Sequence, residues 1–262
     1  MSLKDQFVLL TRGFDQSPVE IKTLQDEGAE VLAFPTIKVI SMDDFSLFDS
    51  QIKKFKKFDY LIFTSANAVE KFNARIIEKN IELDLSSIRV TAVGEKTYSA
   101  CTEYSMPADI IPNEFSTRGI IEELSHYVLD GKNIFIPSSS IARTDLKEGL
   151  EKLGASVTVV PIYNIETPSY EDVKEQVEIL KVRRPNVFIF TSPSTFKNLI
   201  SLLKIENLKQ YFGDSVIAVI GNTTKNEIEK LGLKVHIVPS VYTVKGIVDE
   251  VINYFSEKEE IE

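Results

Sequence analysis

The chain has few of the side chains that build disulfides or metal centres. Among its 262 residues there is one cysteine, Cys101, and there are two histidines, His126 and His236. A single cysteine excludes an internal disulfide and any cysteine-based zinc or iron–sulfur site. Two histidines leave little from which to build a histidine-based metal centre.

Positive charge and long apolar runs are also scarce. Lys and Arg number 30 against 39 Asp and Glu, a net charge of −9, which argues against a general nucleic-acid binder. No apolar run approaches the ~18 residues of a membrane span, and the amino terminus lacks the pattern of a signal peptide. We therefore expect a soluble, cytoplasmic, monomeric protein that binds neither nucleic acid nor membranes.

Several common catalytic motifs are missing as well. No G-x-G-x-x-G follows a strand, and neither a P-loop nor a G-x-S-x-G elbow occurs. An enzyme with this inventory is expected to bind and orient its substrate more than to attack it covalently.

The first half of the chain recurs in the second half, in the same order and at an offset of 126 or 127 residues. The repeated blocks are 28–35 with 154–161, 62–68 with 189–195, 92–94 with 218–221, and 115–124 with 242–251. Such a duplication predicts two similar domains.

Short apolar, β-branched runs alternate with helical patterns in each half. The predicted strands are 7–11, 30–34, 60–64, 90–93 and 109–111, then 133–137, 156–160, 187–191, 216–220 and 235–238. Continuous apolar runs are typical of parallel strands covered on both faces, so we predict an α/β fold with two similar domains, each a parallel five-stranded, flavodoxin-like sheet flanked by helices. The segments 36–41 and 163–169 are the predicted linkers, which would form a two-stranded connection.

Hydroxyl side chains follow many of the predicted strands, beside the starts of helices. Ligands of open parallel sheets bind at this edge, where free N–H groups and the helix dipole favour anions. Arg12 and Arg143 follow equivalent strands and add positive charge. An anion-binding cleft is one interpretation; simple helix capping by Ser and Thr is the other. These strand ends contain 11–12, 64–65, 94–97, 138–140, 191–194 and 221–224.

Residues 7 to 255 resemble the uroporphyrinogen-III synthase family. The segments that carry the resemblance are 63–69 (FTSANAV), 160–167 (VPIYNIET), 190–196 (FTSPSTF), 218–224 (AVIGNTT) and 239–247, which ends in YTVKGI. Their order and spacing together are specific, although none is unique alone.

The resemblance implies an enzyme, a cyclising hydro-lyase of tetrapyrrole and heme biosynthesis. It would close linear hydroxymethylbilane to uroporphyrinogen III, inverting the last pyrrole ring and releasing water, without cofactor or metal. It also implies two lobes with a cleft between them, one discontinuous (1–36 plus 169–262) and one continuous (41–162). The repeat alone would have suggested two contiguous halves. A transient contact with hydroxymethylbilane synthase is a further expectation.

The resemblance also implies roles for particular residues. Tyr163 matches the family's cleft tyrosine and is the candidate general acid, since a tyrosine hydroxyl is ordinarily protonated at neutral pH. The predicted substrate contacts are Arg12, Thr64, Ser65, Thr97, Arg143, Thr191, Ser192, Thr223 and Thr224. The sequence departs from the family at Ser138-Ser-Ser-Ile-Ala-Arg143, where the family often has a glycine-rich segment that also carries an arginine.

Two other functions fit a pair of similar α/β lobes. One is a non-catalytic binding protein for an anionic small molecule, as in periplasmic solute binding. The other is a two-lobed transferase that holds an anionic substrate. Either would form a stable ligand complex without producing a cyclic porphyrinogen.

Overall fold

Eight of the predicted apolar runs and the segment Lys38–Ser41 form nine strands in a computed structural model that describes residues 1–14, 16–141 and 144–259, with only the backbone of Glu259. The strands are β1 (Phe7–Leu10), β2 (Glu30–Ala33), β3 (Lys38–Ser41), β4 (Tyr60–Phe63), β5 (Arg89–Ala92), β6 (Asn133–Ser139), β7 (Ser156–Glu166), β8 (Val187–Phe190) and β9 (Val216–Val219).

Amphipathic segments between the strands form eleven α-helices in the described part of the chain. They are α1 (Pro18–Asp26), α2 (Ser46–Ile52), α3 (Ala66–Glu78), α4 (Glu95–Glu103), α5 (Thr117–Leu124), α6 (Asp145–Lys152), α7 (Lys174–Val182), α8 (Pro193–Leu203), α9 (Leu208–Phe212), α10 (Asn222–Glu229) and α11 (Val244–Glu259). In the described residues no helix has the length and apolar character needed to cross a membrane.

The chain divides into two compact units. Unit 1 consists of Met1–Lys38 and Thr167–Glu262, and unit 2 of Val39–Glu166. The sheet of unit 1 has the strand order β2-β1-β8-β9, and the sheet built on unit 2 has the order β3-β7-β6-β4-β5. By the sequence repeat, β7-β6-β4-β5 corresponds strand for strand to β2-β1-β8-β9. Apart from β3, each sheet therefore combines two strands from each half of the repeat.

Side chains of successive strand residues enter cores on opposite faces of each sheet. In unit 2, Leu61 and Phe63 pack with α2, α3 and α4, whereas Tyr60 and Ile62 pack with α5 and α6. The strands of unit 1 alternate in the same way between α7–α10 on one face and α1 with α11 on the other. Burial on both faces explains the continuous apolar runs and confirms the α/β prediction of parallel sheets flanked by helices.

The predicted fifth strand of each half is wrong in extent. Residues 109–111 and 235–238 each make one isolated parallel bridge, Thr91 with Ile110 and Ala218 with Ile237. Prolines explain the short pairing, because Pro112 and Pro239 follow closely and have no N–H to continue the ladder. The sheet of unit 1 therefore has four strands and one bridging residue.

Most of the two predicted linkers is strand. Residues 38–41 form β3, and β7 continues from the sheet through Tyr163 to Glu166. The two strands are neighbours in the sheet order. The segment Lys38-Val-Ile-Ser41 is half polar and only partly buried, which suits its place at the edge of the sheet.

Candidate functional site

Tyr163 lies on β7 and is only 5% exposed. Its hydroxyl lies 3.1 Å from Ser65 Oγ, and either atom could donate the hydrogen bond. Ser65 follows β4 and caps α3, where its Oγ accepts from the N–H of Ala68 at 3.2 Å. The predicted acid is therefore coupled to the start of a helix.

The same two residues line a pocket of about 370 Å³ within unit 2. Its apolar lining is Val93, Phe115, Ile120, Ile136, Leu146 and Val159. Its hydroxyl lining is Thr64, Ser65, Ser116, Thr117, Ser138, Ser139 and Tyr163. Among the described lining residues Lys147 is the one cation. Such a lining combines apolar surface with hydroxyl groups and one positive charge, so it can contact both apolar and anionic parts of a ligand.

The equivalent edge of unit 1 also collects predicted residues. Arg12 follows β1, Thr191 and Ser192 follow β8, and the turn before α10 follows β9. These strands are parallel neighbours, so their carboxyl ends share one edge of the sheet. Ser192 forms a capping box with Thr195 at the start of α8. Arg12, Thr191 and Ser192 are half-buried.

The structure distinguishes between the two predicted threonines of α10. Thr223 is exposed, whereas the side chain of Thr224 is 2% exposed. Thr97 of α4 is likewise buried, at 3%, while Thr64 is exposed. Exposure favours Thr64 and Thr223 as substrate contacts. Arg143 lies outside the described residues.

Sequence reasoning missed Phe115, Ser116, Thr117 and Lys147 as pocket residues. A signal existed for the first three, because they begin the repeated block at 115–124. Lys147 carries no local signal, since it stands in α6 as an ordinary charged helix residue.

The surroundings of Cys101 and His236 favour structural roles for these two side chains. Burial raises the pKa of the Cys101 thiol to about 11, so it is a poor nucleophile. Burial lowers the pKa of His236, whose Nδ1 accepts the N–H of Ile217 at 3.0 Å. In the described residues no three His, Cys, Asp or Glu side chains converge to hold a metal ion.

A second pocket, of about 360 Å³, lies in unit 1 around Arg184 and Tyr211. Its described lining contains none of the predicted site residues. It is also remote from the carboxyl ends of the strands, since Arg184 precedes β8. We therefore place the candidate chemistry in the pocket of Tyr163.

Comparison with known proteins points in the same direction as the site. A family model described as uroporphyrinogen-III synthase HemD matches residues 19–249. The uroporphyrinogen-III synthase of Chlorobaculum parvum is 26% identical over 238 residues, covering 90% of this chain and 93% of that protein. That of Synechococcus elongatus is 28% identical over 244 residues and covers 92% of each chain.

A solved structure has a similar fold. The crystal structure of uroporphyrinogen-III synthetase from Helicobacter pylori matches with a TM-score of 0.63 at 16% identity, covering 95% of this chain and 99% of that chain. The match of the family model over most of the chain, together with these relatives, confirms the resemblance found in the sequence. The chain belongs to the uroporphyrinogen-III synthase HemD family of cyclising enzymes in heme biosynthesis.

Proposed function

We propose that the chain closes hydroxymethylbilane to uroporphyrinogen III, with inversion of the last pyrrole ring and release of water. The observation that carries the proposal is the hydrogen bond between Tyr163 and Ser65 inside the pocket of unit 2. Hydroxymethylbilane offers pyrrole rings for the apolar lining and carboxylates for the hydroxyls and Lys147.

One of the two possible directions of the hydrogen bond between Tyr163 and Ser65 suits Tyr163 as a general acid. Ser65 Oγ accepts the N–H of Ala68, and its own proton can be donated to the phenol oxygen of Tyr163. The proton of Tyr163 is then free for the departing hydroxyl of the substrate. As that C–O bond breaks, water leaves, an azafulvene cation remains, and the tyrosine oxygen carries the negative charge. Ser65 and the start of α3 stabilise that charge.

Ring closure then needs no further reagent. A carbon of the last pyrrole ring attacks the azafulvene carbon, and a spiro intermediate rearranges to the inverted ring. The proton lost when the pyrrole regains its aromatic electrons can return to Tyr163. The protein supplies position, an acid and a base, which agrees with the absence of nucleophile motifs in the sequence.

Carboxylate binding is assigned to the carboxyl edges of both sheets. The eight carboxylates of the bilane can be held by hydroxyls and backbone N–H groups without many basic residues. We propose Thr64 and Thr223 as the first contacts, because both are exposed. The other proposed contacts are Arg12, Ser65, Thr97, Arg143, Thr191, Ser192 and Thr224.

We also propose a domain organisation and a cellular setting for the enzyme. The two units would be similar flavodoxin-like domains, with boundaries near 1–36 plus 169–262 and 41–162. Their strand orders, which correspond through the repeat, support this proposal. The enzyme would be a cytoplasmic monomer that makes transient contact with hydroxymethylbilane synthase.

The proposal is tested by supplying hydroxymethylbilane generated in the same reaction and separating the oxidised porphyrin products. Spontaneous closure gives the type I isomer, so an enzyme-dependent type III isomer is expected. Folded protein that leaves only type I would overturn the proposal and favour a binding protein instead.

A further inference from the structure

Two exposed aromatic rings occupy equivalent positions of the repeat, Phe115 in unit 2 and Tyr242 in unit 1. Their exposed fractions are 52% and 58%. Phe115 lies two residues before α5, and Tyr242 lies two residues before α11. Each helix follows the last residue that pairs with the sheet, Ile110 in unit 2 and Ile237 in unit 1. A single exposed aromatic side chain is common in folded proteins. Two such side chains with the same local structure need an explanation.

Each ring stands at the apex of a three-residue turn, which we call a ring turn (114–116 and 241–243). The N–H of Ser116 donates to the carbonyl of Glu114 at 2.9 Å, and that of Thr243 donates to the carbonyl of Val241 at 2.8 Å. Hydrogen bonds between residues i and i+2 hold the central residue in a narrow range of conformations. The backbone of the ring-bearing residue is therefore held in the same way in both units.

The residue after each ring anchors its turn to the following helix. Ser116 Oγ accepts the N–H of Gly119 at 3.1 Å, and Thr243 Oγ1 accepts that of Gly246 at 2.9 Å. A Cβ atom at either glycine would overlap the carbonyl oxygen five residues before it. Only glycine permits this close approach, so both ring turns depend on the same unusual packing.

Each ring also lies against the glycine turn that follows a neighbouring strand. A Cβ atom on Gly94 would lie 3.7 Å from the ring of Phe115, and one on Gly221 would lie 3.5 Å from that of Tyr242. The hydroxyl of Tyr242 accepts from Asn222 Nδ2 at 3.0 Å. Each ring thus packs against a glycine turn, while more than half of the residue stays exposed to solvent.

We propose that Phe115 and Tyr242 are substrate-binding residues, whose open faces each stack on a pyrrole ring of the bilane. The inference rests on the proposed function. Phe115 lines the pocket of Tyr163 and Ser65, and Tyr242 adjoins the start of α10, beside Thr223. A flat, electron-rich pyrrole matches a flat ring in size, and stacking tolerates rotation of the pyrrole about its own normal.

The test compares steady-state kinetics of the full chain carrying Phe115→Leu or Tyr242→Leu, with separation of the type I and type III products. Loss of stacking is expected to raise KM for hydroxymethylbilane about two- to tenfold, with a smaller change in kcat. Phe115→Tyr and Tyr242→Phe keep an aromatic ring at each position, so their KM should rise less than that of the corresponding leucine variants.

A matched control removes an exposed apolar side chain elsewhere in unit 2. Ile77 stands at the end of α3, and Ile77→Ala should leave both KM and kcat unchanged. Thermal melting accompanies every variant, and Phe115→Met serves if the leucine variant melts earlier than wild type. Unchanged KM in both leucine variants would overturn the inference, and a rise in only one would overturn it for the other ring. If wild type forms no type III isomer, the proposed function fails and this inference fails with it.

Discussion

Ser65 and Ser192 are equivalent residues of the repeat, and each caps a helix that follows a central strand. Only Ser65 also contacts a tyrosine hydroxyl among the described hydrogen bonds. Ser192 Oγ instead lies 2.8 Å from Ser194 Oγ. Both serines therefore cap a helix, and Ser65 in addition contacts the candidate general acid. Comparing the two distinguishes the effect of losing a cap from an effect on the chemistry.

Replacing either cap with alanine should cost about 1 kcal/mol of stability, because each removes one hydrogen bond at a helix start. Ser65→Ala should in addition lower kcat, since Tyr163 loses the group that stabilises its oxygen. Ser192→Ala should change KM alone. Chemical denaturation and steady-state kinetics measure the two effects, and an equal kcat in both variants would contradict the role given to Ser65.

Thr223 and Thr224 form a second contrast between neighbours. Thr223→Ala should raise KM without loss of stability, because its side chain is exposed. Thr224→Ala should lower stability by about 1–2 kcal/mol, because it removes buried atoms. Melting curves and KM values of the two variants show which threonine contacts the substrate and which stabilises the fold. If Thr224→Ala raises KM and leaves melting unchanged, Thr224 binds substrate as the sequence predicts.

At the scale of elements, the ion pair between Asp49 and Arg75 joins α2 to α3. The Arg75 guanidinium donates to both carboxylate oxygens of Asp49, at 3.0 and 2.6 Å, and its side chain is nearly buried. These hydrogen bonds hold the pKa of Asp49 below its usual value. The pairing is a tertiary contact between residues 26 positions apart, so no sequence pattern announced it.

The low pKa of Asp49 predicts how its contribution depends on pH. Because the folded value is depressed, the contribution is fully present above about pH 4, the unfolded value, and is lost as pH falls through the folded value. Asp49→Asn should therefore cost about 1–2 kcal/mol at pH 7 and progressively less below pH 4.

Urea unfolding across this pH range measures the difference. The control is Asp26→Asn, which breaks an exposed pair with Lys22 within α1 and should match wild type throughout. A stability difference for Asp49→Asn that stays constant down to pH 2 would contradict the assigned pKa.

Strands and helices of this chain were largely readable from its sequence, for physical reasons. Buried parallel strands such as Tyr60–Phe63 have a continuous apolar run, and the following helix starts announce themselves with Ser65 or Ser192. What failed were features set by tertiary context. The edge strand Lys38–Ser41 is half polar, and the last segment of each half pairs at one residue only.

The site was predictable in part. Tyr163, Ser65 and Thr64 came from a family resemblance, and the structure brings these three together in one pocket. Spacing could not reveal that Thr97 and Thr224 are buried, because a threonine in a first helical turn has the same local pattern whichever way it faces. Phe115 and Lys147 were missed because ring turns and lone lysines have no catalytic motif.

At the scale of the whole molecule, unit 2 is one continuous segment with its own cores and sheet. Its terminal strands, β3 and β7, are neighbours, so its ends meet at one edge of the sheet. We predict that residues 39–166 fold alone with cooperative thermal unfolding, as circular dichroism would record. The segment should yield no type III isomer, because it lacks Arg12, Ser192 and Thr223. A segment that does not fold, or one that forms type III, would contradict this division of roles.

The most direct test of the enzyme's chemistry is turnover of Tyr163→Phe at saturating hydroxymethylbilane, with the isomers separated. The substitution removes one hydroxyl and its hydrogen bond with Ser65, so melting should shift little. We predict that kcat for type III falls by about 10²–10⁴-fold while KM changes little, because the proton for the departing hydroxyl is lost. Wild-type kcat in a folded Tyr163→Phe variant would contradict the assignment of Tyr163 as the acid.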